Sequence, residues 1–394
     1  MPLDFQQVHR QVKKLGETAV QREQRLQSLR ELARDLLSNL AKDIDRLNQK
    51  VQLVARLHDP TLRCALPVAE HLDAHFPQVE LPLKASILAA DGSQISPNRN
   101  AEVSYCLVNV GAIQLNLHSP EPPRVYVTSQ LFYGEQLYTE TGRITDSALA
   151  LLRDVNERTT LAQLAEGAAS PVITFTDGPM ELWGAKEVDA ASEFRKQMGV
   201  YLDALSRLFT LGVITAGYID KPAANLVVRL LEVAITPDDE LPEMKSQHPL
   251  RGVSDIDLFK GLLKPGERSA VFGMQSKSAA NYRDELALHF FYLNVGRIDR
   301  PWLARVEIPA WVAGSPEMLD HLQAALVSQC RIMGSRPYPY LLHRAHEAAM
   351  VSFQEQEQVT QMIMLELRRR GVEFGEESQK QALKRQAGRT RVKI

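Results

Sequence analysis

The order of apolar patterns between residues 86 and 234 constrains the fold of this chain more than any other feature. A short apolar run at 86–90 is followed by two runs rich in β-branched and aromatic residues, at 103–110 and 124–128, with turn residues between them, which predicts an antiparallel meander. Helical patterns at 146–166, 189–211 and 222–234 then alternate with strand patterns at 172–176 and 213–219. The order β-β-β-α-β-α-β-α predicts an α/β fold with a mixed sheet.

The segments on either side of this region are mainly helical. Residues 4–57 carry a leucine stripe at helical spacing, which predicts a helical arm used for packing or dimerisation. Strand patterns return at 286–293 and 303–309, and helical patterns at 316–330 and 338–370 follow. We therefore predict three parts: a helical arm and linker at 1–75, a main domain at 76–355, and a carboxyl-terminal helix with a basic tail at 356–394.

Composition excludes several classes of protein. No stretch approaches the roughly 20 apolar residues of a membrane helix, and the first residues lack the apolar core of a secretory signal. Cys64, Cys106 and Cys330 are far apart, which argues against a disulfide framework or a thiolate zinc site and favours a reducing cytoplasm. Residues 378–394 are basic and contain no acid, so they either bind phosphate groups or form a solvated end.

Two strand patterns end alike, in Asp91-Gly92 and in Asp177-Gly178. Asp-Gly is a common turn pair, so each occurrence alone has a simple structural interpretation. If the two strands are neighbours, however, both carboxylates emerge at one rim of the sheet, where they repel each other unless a cation lies between them. Oxygen ligands of this kind suit Mg²⁺ or Mn²⁺.

A helix face and a histidine extend this candidate site. Within the predicted helix 146–166, Glu157 shares a face with apolar residues, whereas Asp154 is expected to face solvent. In the predicted helix 338–370, helical spacing places His346 on the apolar face and His343 on a polar face. An inward histidine is either a hydrogen-bonded core residue or a ligand.

Lys221 follows the predicted strand 213–219 and precedes Pro222, where a helix is expected to begin. A cation at a helix amino terminus opposes the helix dipole, so the position is better explained if an anion such as phosphate binds there; an exposed loop lysine is the alternative. The sequence lacks the GxxxxGK[ST], HExxH and GxSxG motifs, which excludes a P-loop motor and the corresponding hydrolases.

Together these residues resemble the NurA nuclease family. The resemblance covers roughly residues 85–350 and consists of short motifs in one order: ADGSQ at Asp91, LLRDVNE ending at Glu157, FTDGP at Asp177, GYIDKP at Lys221, SDIDLF, FFY, ARVEIP, and PYPYLLHRAH ending at His346. Each motif is weak alone, but their ordered combination is fairly specific.

The resemblance implies an RNase H-like core, a homodimer and a manganese- or magnesium-dependent DNA nuclease with two ions per site. It further implies 5′-to-3′ exonuclease activity and endonuclease activity on single strands. It also implies that the protein works with a HerA-type hexameric ATPase in end resection and double-strand break repair. Asp91, Glu157 and Asp177 match the family's acidic metal ligands, His346 its histidine and Lys221 its lysine.

Three other interpretations remain open at this point. The chain could be a non-catalytic RNase H-like adaptor of a HerA-like ATPase, although clustered acids without a cation destabilise a fold and should be lost from such a relic. It could be a nuclease of the same fold that acts on RNA or branched DNA. Finally, the two Asp-Gly pairs and the histidine could be purely structural.

Overall fold

A computed structural model describes residues 3–80, 84–98, 102–117, 119–139, 142–182 and 191–372 of the 394-residue chain. Within these residues the helices of at least four residues are α1 Phe5–Asn39, α2 Ile44–Leu57, α3 Asp146–Ala165, α4 Ala191–Thr210, α5 Leu226–Ile235, α6 Asp255–Phe259, α7 Ala310–Ala313, α8 Pro316–Ile332, α9 Tyr340–Ala349 and α10 Phe353–Arg369. The strands are β1 Cys64–Pro67, β2 His75–Phe76, β3 Ser86–Ile95, β4 Tyr105–Asn116, β5 Arg124–Tyr133, β6 Tyr138–Thr139, β7 Gly142–Arg143, β8 Val172–Asp177, β9 Ile214–Asp220, β10 Arg268–Ser269, β11 Phe272–Gln275, β12 Leu288–Asn294 and β13 Leu303–Pro309.

The chain divides into two compact units. Unit one comprises Met1–Leu81 and Gly217–Pro337, and unit two comprises Pro82–Ala216 and Tyr338–Ile394. The predicted boundaries after residues 75 and 355 stay predictions. The basic tail 378–394 lies outside the described residues, and no helix within the described ranges is long and apolar enough to cross a membrane.

Unit two contains the predicted meander and its continuation. Strand β3 pairs antiparallel with β4, β4 pairs antiparallel with β5, and β8 pairs parallel with β3 after the chain has passed through α3. The strand order β5-β4-β3-β8-β9 has a long central strand, β3, between an antiparallel and a parallel neighbour. This confirms the mixed α/β sheet, and the order is that of the RNase H-like fold.

Helices cover both faces of this sheet. Side chains alternate between the faces along each strand. Cys106 and Val108 of β4 pack against Leu149 of α3 on one face, which we call the α3 face. Tyr105 and Leu107, on the opposite face, pack against Val359 and Ile363 of α10, which follows α9. We call this second face the α9 face.

Unit one has a second set of antiparallel strands with two amino-terminal helices. Strand β12 pairs with β11 and β13, and β11 pairs with β1. The predicted helix 4–57 is two helices, because Leu40–Asp43 turn the chain between α1 and α2. Arg34 of α1 donates to the carbonyl of Asp257, at 2.8 Å, so the second half of α1 is held against α6.

The first half of α1 is exposed. Phe5, Val8, Val12 and Leu15 recur at intervals of three and four residues, and each is more than 40% exposed. Such spacing is typical of a helix that packs along another helix. The predicted role of this arm in packing or dimerisation stays a prediction.

Two predicted helix boundaries are wrong. Helix α5 begins at Leu226 rather than Pro222, and the buried carboxylate of Asp255 accepts hydrogen bonds from the backbone amides of Val227, at 3.1 Å, and Val228, at 2.8 Å. The predicted helix 338–370 is divided into α9 and α10, because Ser352 forms a capping box that begins a new helix. Carboxylate or hydroxyl oxygens that accept from the first backbone amides of a helix stabilise its amino terminus.

Candidate active site

Asp91 lies inside β3 and not at its end, so the predicted turn at Asp91-Gly92 is wrong. The strand continues to Ile95 because β4 pairs with it throughout, with Asp91 opposite Gly111. Strand β8, in contrast, ends at Asp177, and its pairing with β3 ends at Ala90 opposite Thr176. Among the described residues, positions 91–95 of β3 therefore pair with β4 alone, and we call this stretch the open edge of β3.

Asp91 and Asp177 share one face at this open edge. The register pairs Ala89 with Phe175 and Ala90 with Thr176, so Asp91 and Asp177 occupy the next equivalent positions on adjacent strands. Equivalent positions on paired strands point to the same face, and adjacent strands lie about 4.8 Å apart. The prediction that the two Asp-bearing strands are neighbours is confirmed.

His346 joins Asp91 from helix α9. Its Nδ1 donates to Oδ2 of Asp91 at 2.7 Å, although 255 positions separate the two residues in the sequence. The second oxygen of Asp91, Oδ1, accepts from the backbone amide of Gly92 at 2.8 Å. Because the hydrogen bond occupies Nδ1, the other ring nitrogen of His346, Nε2, is the one able to bind a metal or to accept a proton.

The position of α9 is fixed by close contacts with β3 and β4. A Cβ atom at Gly111 would lie 2.7 Å from the carbonyl oxygen of Ala345, so only glycine allows the helix to approach this closely. The last helical carbonyl, that of Ala349, accepts from Ser93 Oγ at 2.5 Å and from Asn109 Nδ2 at 2.7 Å. These bonds satisfy an otherwise unpaired helix-end carbonyl and fix the backbone that carries His346.

The predicted inward orientation of His346 is wrong. Its side chain is 60% exposed, more than the 42% of His343, for which an outward orientation was predicted. The helix ends at Ala349, so Phe353 does not belong to its apolar face, which Leu341, Leu342, Ala345 and Ala349 form instead. Position 346 borders this face, and from there its ring reaches Asp91.

Glu157 reaches the same strand from the α3 face. It is 4% exposed, which confirms that its side of the helix lies on the sheet. A Cβ atom at Gly92 would lie 2.8 Å from Oε1 of Glu157 and would overlap the side chain of Arg153. Glycine after Asp91 is therefore what admits these two side chains to the open edge of β3.

Burial and neighbouring charge raise the pKa of Glu157 well above its ordinary value. The largest cause is burial, followed by the negative charges of Asp154 and Asp91, which the positive charge of Arg153 only partly offsets. Nε of Arg153 lies 3.6 Å from Oε1 of Glu157, and its Nη2 donates to Asp154 at 2.9 Å. Glu157 is thus a buried carboxyl group that is harder to ionise than an exposed glutamate.

Sequence reasoning missed the roles of Arg153 and Asp154. Asp154 was expected to face solvent, but its side chain is only 42% exposed. Its pKa is raised by partial burial and, in addition, by the charge of Asp91. The signal available in the sequence was spacing, since Arg153 and Asp154 precede Glu157 by one helical turn and therefore share its edge of the helix.

A buried arginine lies beside Glu157 and was also missed. Arg158 is 1% exposed, and its guanidinium donates to the hydroxyls of Thr215 and Thr176, each at 2.7 Å. Its charge partly offsets the rise in the pKa of Glu157. The threonines at positions 174, 176 and 215, in otherwise apolar strands, were the sequence signal for a buried polar partner.

Lys221 lies in unit one and not at a helix amino terminus, which corrects the sequence-based expectation. It is exposed, has a φ of 43°, and places Nζ 3.7 Å from the centroid of the Trp302 ring. The indole Nε1 in turn donates to Asp220 at 2.6 Å. The anion expected at the start of α5 is the carboxylate of Asp255.

The donor set fits a hard divalent cation in its chemistry, although the side chains do not yet converge on one point. Within the described ranges, no three His, Cys, Asp or Glu side chains form a metal-binding arrangement as they stand. Asp91, Asp177 and His346 lie on the α9 face, whereas Glu157 approaches from the α3 face. Because β8 ends at Asp177, the open edge of β3 is where ligands from both faces can meet.

The strand order, with helices on both faces of the sheet, defines an RNase H-like α/β protein. A family profile described as the NurA domain matches residues 85–351, most of the chain. The chain belongs to the NurA family, and it is accordingly placed among the nucleases, a class of hydrolases.

Several solved structures resemble the chain. The NurA nuclease from Sulfolobus solfataricus is 11% identical, with a TM-score of 0.45, and the match covers 84% of this chain and 96% of that one. Endonuclease V of Ciona intestinalis is 12% identical, with a TM-score of 0.31, over 81% and 98%. The catalytic domain of human endonuclease V is 17% identical, with a TM-score of 0.29, over 82% and 98%. No curated protein sequence matches the chain.

Proposed function

We propose that this protein is a metal-dependent DNA nuclease whose active site is the open edge of β3. The observation that carries the proposal is the Asp91–His346 hydrogen bond of 2.7 Å, on the same face as Asp177 and beside the buried carboxylate of Glu157. Three carboxylates and an imidazole supply the ligands of a manganese or magnesium site.

Each residue has a distinct proposed role. In a two-ion site Asp91 would ligate both ions, Asp177 and Glu157 would each hold one, and His346 would contribute Nε2 as a ligand or proton carrier. Bound divalent ions supply the positive charge that activates water and stabilises the leaving oxygen. Lys221 is proposed to neutralise phosphate charge, which its exposed ammonium allows.

The electrostatics of the chain support this division of roles. Glu157 is buried and its pKa is raised, so it binds a cation more favourably than it bears its charge alone. The hydrogen bond from His346 and the backbone amide of Gly92 orient both oxygens of Asp91 before any ion binds. Orientation by such neighbours is what tunes a metal ligand.

We further propose the biological setting that family membership suggests. The protein acts as a homodimer, through the exposed heptad-spaced stripe of α1, and works with a HerA-type hexameric ATPase in end resection and double-strand break repair. Its proposed activities are 5′-to-3′ exonuclease and single-strand endonuclease activity. Three buried free cysteines support a reducing, cytoplasmic environment.

The direct test is digestion of end-labelled linear DNA by the purified protein in Mn²⁺ and in Mg²⁺. We expect cutting by the wild type, and a loss of at least about a thousandfold with Asp91→Asn, because the shared ligand would be lost. Asp203→Asn is the matched control, since Asp203 is an exposed acid on α4 of the same unit. Binding of Mn²⁺, measured by the loss of the free-ion electron paramagnetic resonance signal, should fall in Asp91→Asn only.

The outcomes separate the proposal from its main alternative. Equal cutting by the wild type and Asp91→Asn would place catalysis elsewhere. No cutting and no Mn²⁺ binding, even with a HerA-type ATPase present, would support a non-catalytic adaptor instead. Labels at the 5′ and 3′ ends of one strand report the polarity in the same experiment.

A further inference from the structure

The connection between β12 and β13 in unit one forms a regular hairpin. The amide of Val295 donates to the carbonyl of Trp302 at 2.9 Å, and Arg297 and Arg300 exchange two backbone hydrogen bonds, at 3.0 and 3.1 Å. Only two residues, Ile298 and Asp299, lie beyond this last pair. We call residues 297–300 the hairpin tip.

The base of this hairpin is rigid. The buried side chain of Asn294 accepts through Oδ1 from the amides of Gly296, at 3.0 Å, and Trp302, at 3.2 Å. A Cβ atom at Gly296 would lie 2.9 Å from the carbonyl carbon of Pro301 and closer still to neighbouring backbone atoms. Glycine and asparagine therefore hold the two chains of the hairpin together, and the hairpin tip is presented in a fixed position.

The chemistry of the hairpin tip is unusual for a solvent-exposed turn. Ile298 is 89% exposed, the highest value among the large apolar residues of the described chain. Turns favour Gly, Asn, Asp and Pro, so a β-branched apolar residue here has no evident role in forming the turn. Its two flanking arginines, Arg297 and Arg300, are also exposed.

Further positive charge lies beside the base of the hairpin. The ammonium of Lys221 lies 3.7 Å from the Trp302 ring centroid, and the guanidinium of Arg300 lies 5.7 Å from the same centroid. Two acids lie nearby. The carboxylate of Asp299 is 3.9 Å from the guanidinium of Arg297, and both side chains are more than 75% exposed. The carboxylate of Asp220 accepts a hydrogen bond from the indole of Trp302. The three cations and two acids leave the surface with an excess of positive charge around one exposed apolar side chain.

We propose that the hairpin tip is a wedge that opens base pairs at a DNA end. Ile298 packs against the terminal base pair and unstacks it, while Arg297 and Arg300 hold the adjacent phosphates. Proteins that insert an apolar side chain between base steps combine it with basic residues in this way, because phosphate contacts offset the cost of unstacking. The inference rests on the proposed function, since it assumes a DNA substrate, and it adds that duplex ends are separated by the protein itself.

The test measures unstacking without cleavage. A blunt duplex carries 2-aminopurine at its terminal pair and fluorescein at the other end, and protein is added in EDTA. Binding raises the fluorescein anisotropy, and unstacking raises the 2-aminopurine emission. At equal occupancy, we expect Ile298→Ser to lower the emission gain about tenfold, because a serine side chain cannot fill the space of a base.

Matched variants separate the apolar and the charged parts of the wedge. Ile332→Ser, at an exposed isoleucine at the end of α8 in the same unit, should match the wild type. The double variant Arg297→Gln with Arg300→Gln should weaken duplex binding and lower the slope of log affinity against log salt by about two. Since all of these residues are exposed, none of the variants should affect folding.

The two proposals fail in different ways. A wild type that binds without 2-aminopurine emission, or an Ile298→Ser variant that unstacks the end as well as the wild type does, overturns the wedge. Unstacking in EDTA together with no cutting in Mn²⁺ retains the wedge and overturns the nuclease. Cutting in Mn²⁺ while the duplex end stays stacked retains the nuclease and overturns the wedge.

Discussion

At the scale of single residues, the candidate site depends on the lack of a side chain at Gly92 as much as on the acids around it. Asp91 of β3 points to the α9 face, whereas Glu157 approaches the strand from the α3 face, and the missing side chain of Gly92 lets Glu157 and Arg153 reach the strand. Arg158, one position further along α3, is anchored by two threonine hydroxyls in the adjacent strands. Glycine and threonine in the strands therefore determine where Glu157 and its arginine neighbours lie.

Gly92→Ala is expected to disable the site while leaving the chain folded. The added methyl group would overlap the side chain of Arg153 and lie 2.8 Å from Oε1 of Glu157, so the α3 side chains must move. We expect nuclease activity to fall at least about tenfold and the free energy of unfolding to fall by about 1–3 kcal/mol, as in other overpacked sites. DNA digestion and urea unfolding measure the two effects.

Gly199→Ala is the matched control for this substitution. Gly199 lies within α4, and a Cβ atom there meets nothing within 4 Å. Since alanine is the better helix former, this variant should gain about 0.5–1 kcal/mol and keep its activity. Equal activity of Gly92→Ala and the wild type would show that the contact with Glu157 is dispensable.

The sequence predicts some of these residues and not others, for physical reasons. The strands that carry Asp91 and Asp177 could be predicted because strand periodicity and acid position are local patterns, whereas the continuation of β3 past Asp91 could not, because it depends on pairing with β4. The presence of Asp154 and Arg153 beside the candidate site could not be predicted, because it follows from the close approach of α3 to Gly92. His346 does contact Asp91, but its side chain is exposed rather than inward, because its helix ends earlier than periodicity alone indicates.

At the scale of elements, long-range partners decide where helices begin and end. Helix α5 begins at Leu226 because a carboxylate from α6, 28 residues beyond Val227, caps it. Asp255 also accepts from the hydroxyl of Tyr292 at 2.6 Å, so one buried acid ties α5, α6 and β12 together. Sequence-local rules placed the boundary at Pro222, since they cannot include a cap that arrives from another segment.

This cap should make the stability of the protein depend on pH. Burial raises the pKa of Asp255 to about 6, even though its hydrogen bonds act in the opposite direction. Between pH 4 and 6 the folded protein therefore retains a proton that the unfolded chain has lost, so its contribution to stability falls as the pH rises. For this group we expect a loss of about 1 kcal/mol between pH 5 and pH 7.

Asp255→Asn isolates the contribution of this group. Urea unfolding of the wild type and the variant at pH 5, 6 and 7 gives the free energy of unfolding of the wild type minus that of the variant, and this signed difference should fall by about 1 kcal/mol as the pH rises. Asp239→Asn, at an exposed acid beside α5, should leave the pH dependence of the wild type unchanged. A difference that is constant across this range would mean that Asp255 is already ionised at pH 5.

At the scale of the whole molecule, the two compact units are each built from distant stretches of chain. The order β-β-β-α-β-α-β-α and the family resemblance could be predicted, because both are properties of consecutive elements. The assignment of residues 217–337 to the unit of the amino-terminal helices could not, because no local pattern encodes it. The predicted absence of a disulfide framework agrees with three cysteines that are free and buried.

The thiols should be unreactive throughout the folded molecule. Burial raises the pKa of Cys64 to about 12, that of Cys106 to about 11 and that of Cys330 to about 12, so little thiolate forms. At pH 8 we expect Ellman's reagent to detect no thiols in the folded protein and all three after unfolding in guanidinium chloride. Rapid labelling of one thiol in the folded protein would show that its unit opens locally.

The hydrogen bond between Asp91 and His346 also has a consequence for the time at which the protein becomes active. The two residues are 255 positions apart, and the helix that carries the histidine is docked by Ser93 and Asn109 from the early strands. The ribosome must therefore translate past position 346, 255 residues beyond Asp91, before this pair can form. A nascent chain that lacks α9 cannot complete the proposed site, so its early and late parts meet only after this helix has been synthesised.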